Sequence, residues 1–185
     1  MTELRATDQA WADDFVDPYQ EINWSLRWHH EEFADRLRAF DVDAVQLMPK
    51  EWEQFLWTLS GYAGGTVWDA RERLDLRLDV LRSVARLAKE IGPLTRQNGS
   101  GVEWLWKEIV GFRERHQPEI NDAIARHLAD QLLGRDRRLQ MSALLGLLEL
   151  DHPATPETVR AAIPTLADDP EIRELATSLA KPQPQ

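Results

Sequence analysis

The chain has 185 residues, 43% apolar and 29% charged, with a formal net charge of −10. That suits a globular domain able to bury about 70% of its unfolded surface, and it excludes collagen-like, disulfide-scaffold and wholly disordered chains. With no cysteine, thiol catalysis, cysteine-held zinc, iron–sulfur clusters and disulfides are excluded. No apolar run approaches the ~18 residues of a membrane span, and Met1–Val16 carries charges where a signal peptide has an apolar stretch. The expected location is cytoplasmic.

Both charge and tryptophan are uneven. Residues 1–60 carry a net −8, residues 61–140 a net +2 and residues 141–185 a net −4. This balance disfavours a phosphate backbone and anionic membranes, which need clustered Lys and Arg. It favours encounter with a basic protein, or serves solubility alone. Trp11, Trp24, Trp28, Trp52, Trp57 and Trp68 fall in the first 70 residues, and only Trp104 and Trp106 follow. The 18 Arg against 4 Lys suggest GC-rich bacterial coding.

The periodicity predicts helix almost throughout. A short helix is expected over 3–15. Asp17-Pro18 then offers an N-cap with Pro at the first helical position. Ile22, Leu26, His29, Phe33, Leu37 and Phe40 form one stripe of a helix from Pro18 to Phe40. The alternation Ile22, Trp24, Leu26, Trp28 would also suit a strand, but it spans only a third of that length. The next helix opens at Met48-Pro49 with Trp52, Phe55, Leu56 and Leu59 on one face, and Gly61, Gly64 and Gly65 are expected to end it. A long helix over 66–91 should stop at Gly92-Pro93. Asn98-Gly-Ser-Gly101 reads as a flexible loop. Helices near 102–115, 119–133, 137–150, 156–167 and 170–180 complete the chain, and no sheet is expected. The expected organisation is a Trp-rich acidic part (1–97), the loop (98–101), a helical part (102–180) and a disordered tail (181–185), together one compact domain.

The segment Asp169-Pro-Glu-Ile-Arg-Glu-Leu-Ala-Thr-Ser-Leu-Ala180 resembles the first helix of a HEAT-type repeat. Thr155-Pro-Glu-Thr-Val-Arg-Ala-Ala-Ile-Pro-Thr-Leu166 resembles the second helix of such a pair. Met141 and Leu145 stand 34 residues before Leu175 and Leu179, a period of stacked helix pairs. The Asp-Pro start is missing from that earlier copy. The resemblance covers about 45 residues and implies an all-α fold of stacked antiparallel helix pairs, an α-solenoid that presents surfaces to other macromolecules.

On the helix from Pro18, Trp24 and Trp28 lie about 160–180° from the apolar stripe. Glu21, Glu31 and Asp35 share their side. Trp57 and Trp104 are likewise off their helices' apolar faces. Such indoles are either core, covered from a second side, or anchors of a protein interface with an acidic rim. The expectation is a non-enzymatic interaction module, an immunity- or antitoxin-type protein that meets a basic partner through Trp24, Trp28, Glu21, Glu31, Asp35 and Trp57. No cofactor and no nucleic-acid or membrane partner is expected.

The alternatives are a small metal-dependent enzyme using His29, His30 and Glu32, or a scaffold subunit of a larger complex. The spacing His29-His30-Glu31-Glu32 is not that of a zinc protease, and Glu149-Leu-Asp-His152 occurs only once where a di-iron bundle needs it twice. No nucleophile elbow or phosphate loop is present. Asp168-Asp169 reads as a helix cap. Arg135, Arg137 and Arg138, with Asp136 among them, read as a solvated face or as internally paired rather than as a nucleic-acid site.

Leu139, Leu144, Leu145, Leu147, Leu148 and Leu150 exceed what one stripe needs, so their helix should be central. Leu144→Asp or Leu145→Asp is expected to abolish soluble expression; normal yield with an unchanged melt would make the helix peripheral.

Overall fold

A computed structural model describes residues 7–17, 30–96, 100–112 and 117–181. Among these residues the fold is all-α, with no strand. Its helices are α1 (Asp8–Val16), α2 (His30–Ala39), α3 (Pro49–Trp68), α4 (Leu74–Ile91), α5 (Gly101–Gly111), α6 (Pro118–Leu132), α7 (Arg137–Leu150), α8 (Thr155–Ala162) and α9 (Pro170–Leu179). Local chemistry sets many of the starts. Thr7, Asp136 and Asp169 accept N–H groups of the first turns of α1, α7 and α9. Proline stands in the first turn of α3, α6, α8 and α9, where its missing N–H costs nothing.

The helices pack in two layers. In one, α3, α5, α7 and α9 follow side by side; in the other, α2, α4, α6 and α8 do. The contacts α3·α4, α6·α7 and α8·α9 join the layers, and α1 lies on α3. One apolar core runs from Trp11 to Ala176. Its N-terminal end is aromatic: Trp11 stands 4.4 Å from Phe15 and 5.0 Å from Phe40, and Phe40 stacks on Phe55 at 5.3 Å between centroids. Trp52, Trp68 and Trp106 are also core.

Helix α5 holds the layer together. A Cβ on Gly101 would lie 2.8 Å from the Glu53 carbonyl oxygen, and one on Gly64 would lie 2.6 Å from the Phe112 ring. These two approaches, at matching ends, make α5 run parallel to α3. On the other side a Cβ on Gly146 would lie 2.8 Å from the Trp106 Cβ. The Trp106 indole N–H donates to Gln131 Oε1 at 2.8 Å, so a fully buried indole is also satisfied.

Arginines close the helix C-termini. Arg86 donates to the Leu37 and Phe40 carbonyls after α2. Arg77, buried, donates to the Val67 carbonyl of α3 at 2.7 Å and to Gln117, whose amide in turn reaches the Trp68 carbonyl. Arg138 donates to the Gly92 and Arg96 carbonyls after α4. Arg173 reaches those of Ile163 and Leu166 after α8. The guanidinium fork matches several orphan carbonyls at the negative end of a helix dipole.

Three expectations are corrected. Gly61, Gly64 and Gly65 do not end a helix: α3 runs through them to Trp68, because packing against α5 outweighs the weak propensity of glycine. The next helix begins at Leu74, not at 66, after a turn in which Asp69 accepts the Arg71 N–H at 2.9 Å. Gly101 is not loop but the first residue of α5, pressed on α3. Residues 98–99 of the expected loop 98–101 lie outside the described residues, as do 18–29 of the expected helix from Pro18, 113–115 of that near 102–115 and 182–185 of the tail. Helix α7 touches α5, α6, α8 and α9. Leu139, Leu144, Leu147 and Leu150 are buried, Leu145 is partly buried and Leu148 faces solvent. Arg137 pairs with Asp169 at 2.6 Å and Glu103 at 2.9 Å.

Gly101→Ala is expected to destabilise the fold by about 1–3 kcal/mol, since backbone atoms block the new Cβ. Gly111→Ala, on the same helix with nothing within 4 Å, should instead be neutral or stabilise by up to about 1 kcal/mol. Urea melts of both check this; equal shifts would remove the close α3–α5 approach from the account.

Buried Glu53 accepts the Arg96 backbone N–H at 3.1 Å and pairs with its guanidinium at 2.6 Å. Chiefly the Arg96 hydrogen bond holds this carboxyl below its usual range. A depressed folded-state value means the stabilisation is present above the unfolded value near 4.3 and is lost as pH falls through the folded one. Between pH 5 and 3, the wild type should therefore lose more stability than Glu53→Gln, by about 1 kcal/mol given the exposed Arg96 partner. Urea titrations at the two pH values measure the difference.

Candidate functional site

Helix α3 turns one stripe to solvent, in which Gln54, Trp57, Gly61 and Gly65 follow at three- and four-residue spacing. Trp57 is 49% exposed. Beyond it the stripe has no side chains, so the helix backbone becomes the floor of a groove. His30 and Phe33 of α2 and Tyr62 line one lobe of about 80 Å³. Trp68, Asp69, Arg71 and Gln117 line a second lobe of about 440 Å³. Gly65 and Phe112 belong to both. Gly64 lets the Phe112 ring lie against α3, and Phe112 remains 43% exposed. The Trp68 indole is fixed by its N–H to the Ile109 carbonyl at 2.7 Å.

Gly65 differs from the packing glycines. A Cβ there would meet nothing within 4 Å, and no glycine among the described residues has positive φ. Neither space nor backbone conformation requires glycine at this position. In a helix interior glycine is destabilising by about 0.5–1 kcal/mol relative to alanine, and in this last turn of α3 that figure is the upper bound.

The turn after α3 closes one end of the groove with charge. The Arg71 guanidinium donates to both Asp69 oxygens, at 2.7–3.2 Å, and brings that carboxyl down to about 2. Glu72 Oε1 lies 2.9 Å from His30 Nδ1. His30, Asp69 and Glu72 therefore converge from two separate elements, α2 and the α3–α4 turn, with their ligating atoms within 4.8 Å of one another.

The residues expected from sequence to meet a partner are placed as follows. Trp24, Trp28 and Glu21 lie outside the described residues, as does His29. Glu31 and Asp35 are exposed on α2, Glu31 3.6 Å from Arg73 and Asp35 2.9 Å from Arg38. Trp57 stands in the other helix layer, on α3. His30 turns toward Glu72 and Asp69 rather than toward Glu32, which is exposed. Trp104 is 36% exposed, with the Lys107 ammonium 4.0 Å from its ring centroid.

Sequence reasoning missed Tyr62, Gly65, Asp69, Glu72 and Phe112. One signal was available: Trp57, Gly61 and Gly65 share a helical stripe, so the glycine run also describes a helix face stripped of side chains. The convergence of His30 with residues some 40 positions later has no local signal. The chain matches no protein-family model, no curated protein and no solved structure.

Proposed function

We propose that the chain is a non-enzymatic protein-binding module that takes a basic segment of a protein partner along the groove beside Trp57. The observation that carries this reading is Gly65, an exposed glycine in the last turn of α3 that neither packing nor backbone conformation requires and that keeps the groove floor open. The rings of Trp57, Tyr62 and Phe112 offer faces on which Arg or Lys stacks. Carboxylates of Glu31 and Glu72 stand near the α2 end, and the net charge of −10 speeds encounter with a cationic surface. The two-layer helix order, and the HEAT-type likeness of the last third, suit a scaffold that presents a surface. The most concrete form of the reading is a bacterial cytosolic immunity- or antitoxin-type protein that neutralises a basic, nuclease-like partner.

Gly65→Ala separates fold from function. It should leave stability unchanged or raise it by up to about 1 kcal/mol while lowering partner affinity at least tenfold, and Trp57→Ala should lower affinity with little change in stability. The full chain and both variants are used to capture partners from source-cell lysate, and the affinity of any basic protein retained is measured against salt. A partner lost on both variants and weakened by salt supports the reading; equal retention by all three proteins overturns it.

A further inference from the structure

We infer that His30, Asp69 and Glu72 form a divalent-cation site at the end of the groove, suited to Zn²⁺ and more weakly to Mn²⁺. An imidazole nitrogen with two carboxylate oxygens is a donor set both ions accept. Two carboxylates also neutralise a 2+ charge. The three ligating atoms already lie within 4.8 Å of one another. Ligands held 2.0–2.2 Å from one tetrahedral zinc stand roughly 3.3–3.6 Å apart, so His30 Nδ1 and Glu72 Oε1, at 2.9 Å, need only part slightly to share an ion. That Nδ1 is shielded from solvent, and despite the short distance its geometry toward Glu72 makes no hydrogen bond. The nitrogen is thus placed beside a carboxylate without being satisfied by it, as a ligand awaiting a cation would be.

Asp69 is the third ligand, and Arg71 competes for it. The Arg71 side chain is 89% exposed, so it can swing into water without disturbing packing, which frees Asp69 Oδ2 while Oδ1 keeps the Arg71 backbone N–H. Three protein ligands leave a fourth position for water or for a side chain entering the groove. Bound metal would tie the start of α2 to the α3–α4 turn. His152 offers a contrast: its Nε2 lies 2.9 Å from Asp122, but it belongs to no such three-residue group among the described residues.

Calorimetric titration of the tag-free full chain with ZnCl₂ and with MnCl₂ tests the site. The expected result is one Zn²⁺ per chain at micromolar affinity or tighter, with Mn²⁺ weaker. His30→Ala and Glu72→Gln should each weaken Zn²⁺ at least tenfold, and His152→Ala should leave it unchanged. Arg71→Ala should tighten it several-fold, because it releases Asp69, whereas a merely structural ion-pair cluster would show no such gain. Glu72→Gln, on a partly exposed turn, keeps a test available if His30→Ala fails to fold. Absence of stoichiometric Zn²⁺ binding, binding that survives both ligand substitutions, or no tightening in Arg71→Ala overturns the site. Docking at Gly65 does not depend on it, so its failure leaves that reading standing.

Discussion

The fold depends on how closely α5 approaches its two neighbours. Glycine makes the approach possible on both sides: Gly101 and Gly64 against α3, Gly146 against α7. A helix pair brought this close buries the side chains around each contact more completely, and α5 carries Val102, Leu105, Trp106, Ile109 and Val110 into that space, all essentially unexposed. Full burial of one such aliphatic side chain contributes about 1.5–3 kcal/mol. The glycines therefore set the spacing at which the rest of the layer assembles. The same close contact carries α3 past Gly61 and Gly65, where propensity alone would stop it, and so creates the groove.

The polar side of the fold follows from that stacking. Helices stacked in layers leave C-terminal carbonyls at the layer edges, where water reaches them poorly. Arg77, Arg86, Arg138 and Arg173 supply donors there from neighbouring elements. The arginine excess that reads as coding bias thus has structural work at four helix ends. Much of the positive charge in the near-neutral middle of the chain is held by carbonyls and by Asp79, Asp169 and Glu53.

The groove combines an open glycine floor, aromatic walls and a charged end. Its parts come from α2, α3, the α3–α4 turn and the segment after α5. The groove keeps its shape only while the layers keep their register, so the core and the groove are coupled through the same glycine contacts. Phe112 shows this directly, since its ring both packs on Gly64 and lines both lobes.

Local pattern was enough for several features. Helical periodicity determined the all-α class and placed α6, α7 and α9 within a residue or two, because each has apolar residues at helical spacing and a Pro or Asp start signal. The off-stripe positions of Trp57 and Trp104 were legible for the same reason, as was Asp169 as a cap. The crowded leucines around Leu144 announced a helix with neighbours on two sides. Only the tertiary structure decided that α3 crosses its glycines, because a glycine that breaks an isolated helix can instead admit Phe112 to a packed one. Only it gave the arginines their carbonyl partners, and only it brought His30 to Asp69 and Glu72. Helical periodicity reports which side of a helix is apolar, but not which distant side chain will stand opposite it, and these features are made of such distant pairs.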